Sequence, residues 1–281
     1  MTDNALLYRV KRIFLTFTVI LLSLCSYAQE HWDTYLASYD GQPGSVLVDM
    51  GLMPTAPDKK YQYLVITGPR AEHCDKRGMP TPDEIDALEE VLDATTNFIT
   101  GVTAKVLAGT FTHQCDRLNY YYVKDTMGIR NAIGRLYNRT YKGYRYTVII
   151  RPDPEWKTYR TFLYPDDSLQ DWMRNNATMS RMTQSGDSLK VSRPINFRFY
   201  FTSDSARRSF TGFAQAHGYN IVRSATGGKA PNQMYGVIVA KEGNVRKDVD
   251  KYMAELRKKA KELNGTFEDW DAPLPALDPA K

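Results

Sequence analysis

Beyond residue 28 the chain carries two cysteines, Cys74 and Cys115, each with a histidine close by in His73 and His113. Two thiols and two imidazoles are a donor set for structural zinc, and two thiols are also the raw material of a disulfide. Adjacent His73 and Cys74 make poor chelate geometry, because zinc motifs space their ligands by two or more residues. A Cys74–Cys115 disulfide is therefore the expected state, with a metal site and unpaired thiols as alternatives. His31 and His217 are the other histidines. No GxSxG elbow or HExxH pair accompanies them, and His217 falls in the last turn of a predicted helix, where a cation suits the dipole.

Other chemical signals reduce to ordinary structure. Ala225-Thr226-Gly227-Gly228-Lys229 resembles part of a phosphate loop, but Arg223 stands where the pattern needs Gly and Ala230 where it needs Ser or Thr. A flexible hairpin loop is the expectation there. The acidic pairs Asp166-Asp167 and Glu89-Glu90 read as helix caps and solvated faces. Arg246, Lys247, Lys251, Arg257, Lys258, Lys259 and Lys261 crowd the last helix but interleave with Asp248, Asp250, Glu255 and Glu262, again a solvated face. Tyr120–Tyr122 lie in one strand and must alternate between faces, so they form no continuous stacking platform. No catalytic, cofactor-binding or metal-binding residue is assigned.

The elements that would position these residues come next. Trp32–Ala37 and Ser45–Met50 flank the turn-rich cluster Asp40–Gly44, a β-hairpin signal. A strand at Tyr61–Ile66 precedes a helix opened by Thr81-Pro82-Asp83-Glu84, which has the spacing of a capping box. Ile85, Leu88, Val91, Leu92, Phe98 and Ile99 give that helix one apolar stripe. Strands at Lys105–Thr112 and Leu118–Lys124, a helix at Thr126–Asn138 with Ile129, Ile133, Leu136 and Tyr137 inward, and a strand at Tyr144–Arg151 complete a β-α-β-β-α-β order. The second half repeats it. A helix at Ser168–Met182, with Leu169, Trp172, Met173, Met179 and Met182 on one side, leads to a strand at Ile195–Phe201 and a helix from Ser203 to His217. A hairpin follows from Tyr219–Arg223 and Met234–Lys241, then a helix at Val245–Leu263 and an edge strand at Thr266–Trp270. The fold class is α+β, with two ferredoxin-like (βαββαβ) domains in tandem and a β-hairpin before the first. In this order Cys74 and Cys115 both fall at one end of the first sheet.

The start of the chain is a leader. Arg9, Lys11 and Arg12 precede the uncharged run Ile13–Leu24, and Ser26-Tyr27-Ala28 offers small residues before Gln29. Twelve helical residues cover about 18 Å against a hydrocarbon core of about 30 Å, so the run reads as a signal peptide and not a span. An uncleaved anchor and acylation at Cys25 are the alternatives. Nothing later is apolar enough to cross a membrane. Removing residues 1–28 takes the charged residues from 37 basic and 32 acidic to 34 and 31, a net +3. That is too mild to imply a nucleic-acid partner.

Two stretches resemble known families. Asp153-Pro154-Glu155-Trp156, then Tyr159 and Phe162-Leu163-Tyr164-Pro165, resembles the junction motif of bacterial domain of unknown function family 695. Gly78–Glu84 and Leu118–Val123 also fit, and the resemblance covers Trp32–Pro165. Ser192-Arg193-Pro194-Ile195-Asn196-Phe197, Tyr200-Phe201, Gly218-Tyr219 and Phe267-Glu268-Asp269-Trp270 are similar to the ribonuclease E regulator B (RraB-like) family, over Asp166–Pro273. That family tends to end in Tyr-Asp-Gly-Trp, so Asp269 replaces a residue that takes φ > 0 at low cost. This second resemblance implies a ferredoxin-like fold and, for the best-known member, inhibition of a cytosolic ribonuclease by protein binding. The leader would carry this chain away from that target, and the regulator is strongly acidic where this chain is not.

The organisation expected is a signal peptide at 1–28, an α+β domain at 29–152, a junction at 153–165, an RraB-like domain at 166–273 and a flexible tail at 274–281. Trp156, Tyr159 and Phe162 are expected to pack between the domains. The function expected is that of an exported, periplasmic or secreted, non-enzymatic protein that binds another protein and needs no cofactor. An enzyme with a site in the inter-domain cleft is the alternative. The leader generates the first prediction: cleavage between Ala28 and Gln29. Intact-mass measurement of the native protein should give a chain starting at Gln29; one starting at Met1, or acylated at Cys25, contradicts it.

Overall fold

The computed structural model describes residues 31–227 and 235–273. The leader with its Ala28–Gln29 junction, the loop segment 228–234 and the tail 274–281 lie outside the described residues. The described residues are α+β and divide between Tyr164 and Pro165 into two compact units, each built on an antiparallel sheet.

The first unit begins with a hairpin of β1 (Trp32–Tyr39) and β2 (Gln42–Asp49). Its two-residue turn places both Asp40 and Gly41 at positive φ, the geometry that matches strand twist in tight hairpins. Then come β3 (Tyr63–Pro69), α1 (Pro82–Thr100), β4 (Lys105–His113), β5 (Asp116–Val123), α2 (Ile129–Arg139) and β6 (Tyr146–Pro152). The six strands lie in the order β1-β2-β4-β5-β3-β6, so the hairpin extends the sheet through the pairing of β2 with β4. Gly68 on β3 has no room for a side chain, since a Cβ there would sit 2.0 Å from the Arg117 carbonyl oxygen.

Both faces of this sheet are apolar. Val65, Tyr121 and Val123 meet Val91 and Ile99 of α1 and Ile129, Ile133 and Tyr137 of α2. In α2 the expected stripe of Ile129, Ile133, Leu136 and Tyr137 is buried. In α1 the stripe differs at one end: Phe98 is 42% exposed, while Thr95 is fully buried with its hydroxyl donating to the Val91 carbonyl, 2.8 Å away. The capping box is also absent. Thr81 precedes the helix without a side-chain cap, and Glu84 turns instead to the Glu72 N–H and the His73 ring.

The opposite face, with Leu64, Tyr120 and Tyr122, is covered by the segment after β6. Trp156 lies parallel to Tyr122 with ring centroids 4.0 Å apart and donates its Nε1–H to the Tyr61 carbonyl. One π-helical turn, Tyr159–Leu163, follows; Tyr159 donates to the Asp49 carbonyl and Tyr35 to that of Leu163. Trp156, Tyr159 and Phe162, expected between domains, thus pack against the first unit's own sheet. The physical reason is the second apolar face, which the two helices leave bare.

The second unit contains α3 (Asp167–Gln184), β7 (Ser192–Phe201), α4 (Asp204–Ala216), β8 (Asn220–Thr226), β9 (Tyr235–Asn244), α5 (Val245–Glu262) and β10 (Thr266–Asp271). Its strand order is β10-β7-β9-β8. Ile195, Phe197, Phe199 and Phe201 pack with Val237 and Val239 against Phe210 of α4 and Val249, Met253 and Leu256 of α5. Asp166, Ser203 and Asn244 cap the three helices by accepting backbone N–H groups. A buried ion pair, Arg193 with Asp187, ties the loop before β7 to that strand. The helix-side face is apolar, while the other face presents Asn196, Arg198 and Tyr200. Arg198 pairs there with Asp269 and Asp271 of β10.

Asp153 carries the covering segment of the first unit. Its carboxylate accepts from the Tyr122 hydroxyl at 2.8 Å and from the N–H groups of Lys157 and Thr158 at 2.8 and 3.0 Å. Burial acts to raise its pKa, but these donors together hold it below the usual carboxylate range. A depressed folded-state pKa means that the stabilisation is complete above the unfolded-state value and is lost as pH falls through the folded one. Asp153→Ala leaves one hydroxyl and two N–H groups without their anion and is expected to cost about 3 kcal/mol. Urea unfolding followed by Trp fluorescence should show this as a lower midpoint, with the gap between wild type and variant shrinking in acid.

Candidate functional site

The titratable residues singled out in the sequence are spread over separate structural tasks. The structure joins Cys74 to Cys115, with Cα atoms 6.0 Å apart. Cys115 and Gln114 form the two-residue turn between β4 and β5, both at positive φ. The loop carrying Cys74 is held beside it by the Ala71 N–H on the Cys115 carbonyl and the Cys115 N–H on that of Gly78. His73 pairs with Glu84, 2.9 Å off, which raises the imidazole pKa chiefly through their hydrogen bond. The Glu72 N–H, then His73, lower that of Glu84. His113 faces the Pro43 carbonyl and stacks on Phe111; His217 turns back to the Phe213 carbonyl. Among the described residues no cluster of three or more His, Cys, Asp or Glu could hold a metal ion. Nor is any helix there long and apolar enough to cross a membrane.

Residues of a different kind converge on the second unit. Helices α3 and α5 and the start of β10 enclose a groove of about 650 Å³. It is positioned from beneath by a polar chain. Trp270 of β10, which is buried, donates its Nε1–H to Asn175 Oδ1 of α3 at 2.7 Å, and Asn175 Nδ2 donates to Asp250 of α5 at 2.6 Å. One fully buried amide therefore fixes three elements, and a satisfied buried network of this kind specifies a single arrangement. Above it, Arg257 binds the Asp171 carboxylate and lies 5.7 Å over the Phe267 ring. Lys261 reaches Asp167 at 3.3 Å. Trp172, expected inward, is 43% exposed at the groove.

The side chains that line this groove are aromatic, apolar and charged. It presents an exposed indole, a stacked guanidinium, a phenyl ring and Met253 among balanced charges. Trp and Arg beside aromatic surface are the residues that dominate protein interfaces. The Arg257 side of the last helix is thus more than a solvated face. A polar Asn175 among the apolar Trp172, Met179 and Met182 was the signal available in sequence, since a polar residue on a buried stripe must find a partner.

Residues 30–164 match the model of the family of unknown function DUF695, and residues 172–272 match that of regulator of ribonuclease activity B. The first unit is thus similar to DUF695 domains and the second to RraB domains. Of the residues that resemble the RraB family in sequence, Arg193 lies in the buried ion pair, Phe197 in the core and Trp270 on Asn175. Asp269, standing where that family tends to have Gly, is not at positive φ and pairs with Arg198, so no conformational penalty attaches to it. Comparison with curated proteins finds no match. A solved structure described as an unknown protein from Galdieria sulphuraria is 11% identical over 76% of this chain and 99% of its own. Its TM-score of 0.21 is too low to establish a shared fold.

The Cys74–Cys115 bond closes a long loop, its ends 41 residues apart. In the chain-entropy account such a loop stabilises by about 4 kcal/mol. Thiol titration of the native protein in denaturant without reductant is expected to find no free cysteine in the mature chain. Two free thiols in that material would contradict the bond.

Proposed function

We propose that this is an exported, non-enzymatic regulator that acts by binding another protein through its RraB-like unit. The observation that carries the reading is the groove between α3 and α5, where Trp172 stays exposed beside Arg257 and Phe267 over a rigid polar support. A domain whose family is named for regulating a ribonuclease supports regulation by binding as the mode of action. The leader and the disulfide favour an oxidising compartment, periplasmic or extracellular, and hence a partner other than a cytosolic ribonuclease. A ferredoxin-like arrangement for both units is part of this proposal. In each, the four strands of the βαββαβ set lie in the order fourth, first, third, second, with antiparallel neighbours, which supports it.

A central exposed Trp at an interface costs at least about 2 kcal/mol when truncated, roughly 30-fold in affinity. Trp172→Ala should therefore lose a partner that the wild-type mature protein retains from envelope extract, at an unchanged unfolding midpoint. A partner bound equally by both proteins removes the groove from the reading. A substrate turned over by the mature protein would remove the non-enzymatic part.

A further inference from the structure

A second cavity, of about 670 Å³, lies on the face of the first sheet that the covering segment occupies. Its floor is Ile66 of β3, Tyr120 of β5 and Phe162 of the π-helical turn, and Arg151, Lys157 and Thr158 stand around it. The cover stops short on this side. Ile149, directly opposite Ile66 on β6 and so on the same face, is 45% exposed. The volume lies within the range of small-ligand pockets, which combine an apolar lining with a few convergent polar groups.

The polar groups are donors with capacity to spare. Tyr120 is 6% exposed and lines the cavity, yet its hydroxyl has no hydrogen-bond partner among the described residues. The hydroxyl oxygen meets solvent at the cavity, so its donor is free for water or a ligand atom. Burial pushes the Tyr120 pKa up to about 12, against the nearby Arg151 charge, so the hydroxyl is protonated at neutral pH. The Arg151 side chain is exposed and makes one hydrogen bond, to Thr158 Oγ1 at 2.9 Å, which leaves most of its fork free. Of the two carboxylates at the cavity, Asp153 is engaged by Tyr122, Lys157 and Thr158, and Glu155 is exposed to solvent. An anion can therefore meet unspent donors on the floor and a guanidinium beside it, while the rest of the ligand lies on apolar side chains.

We propose that this cavity binds a small carboxylate with an apolar body, its carboxylate held by Arg151 and Tyr120 and its body resting on Ile66, Ile149 and Phe162. The site is separate from the groove of the RraB-like unit and does not depend on the protein-binding reading.

The test uses the full mature chain with ¹³C-labelled isoleucine methyl groups and two probes of one shape, 3-phenylpropanoate and its neutral amide. The acid should shift the Ile66 and Ile149 methyls saturably while Ile133 and Ile195 stay still. It should bind about tenfold more tightly than the amide, the effect of one charge-assisted contact. Arg151→Gln should abolish that preference, and Tyr120→Phe should weaken the acid more than the amide. No saturable shift at Ile66, equal binding of acid and amide, or an unchanged preference in Arg151→Gln overturns the proposal. The comparison of probes on the unaltered protein holds even if a variant fails to fold.

Discussion

Strand alternation sets the central constraint on the first unit. Tyr120, Tyr121 and Tyr122 are consecutive in β5, so Tyr121 must face one side of the sheet and its neighbours the other. All three are buried. A sheet with bulky apolar groups on both faces needs cover on both, and two helices reach only the Tyr121 side. The segment Asp153–Leu163 supplies the other cover, and its conformation answers to that task. Trp156 takes a positive φ of 50°, uncommon for a residue with a side chain, and in that conformation its ring stacks on Tyr122 while Asp153 holds the turn beneath.

The second unit solves the same problem differently. Its β7 alternates Phe197, Phe199 and Phe201 with Asn196, Arg198 and Tyr200, so one face is apolar and the other can stay polar. No covering segment is needed there, and the acidic residues of β10 supply partners for Arg198. What this unit must position is an extra helix, α3, which lies against α5. Its buried residues are Asn175 and Met179, a narrow apolar contact for so long a helix. The hydrogen bonds through Asn175 to Trp270 and Asp250 therefore carry much of its orientation, with Arg257 on Asp171 at the rim.

These two solutions explain which features were legible in the sequence. The β1–β2 hairpin, the α2 stripe and the alternation of β7 follow local periodicity, and the structure keeps them. The misreadings share a cause, which is that the partner surface was not known. Glu84 has capping-box spacing, but the loop through Glu72 and His73 offers it better donors. Phe98 has stripe spacing but lies beyond the reach of the sheet, while Thr95 is buried because its hydroxyl can bond within its own helix. Trp172 follows the spacing of a buried stripe, but the residues that this helix buries are Asn175 and Met179. Trp156 and Tyr159 look like linker residues until the bare second face of the sheet is recognised as their destination.

Asp153 and Asn175 link stability to the shape of a concave surface in each unit. Each is a buried polar side chain satisfied by groups from separate elements, and each lies beneath or beside one of the two concave sites. A buried carboxylate or amide tolerates few arrangements, because losing one partner costs more than that hydrogen bond adds to stability. The walls above them are therefore held in one geometry before anything binds. An association of the kind proposed would therefore order little of the protein, and its entropy cost would fall mainly on the ligand or partner. The titratable side chains around these supports are already committed to hydrogen bonds and ion pairs that shape the walls. What the surfaces leave unspent is an indole, most of the Arg151 fork and one phenolic hydroxyl, the groups on which the two proposals rest.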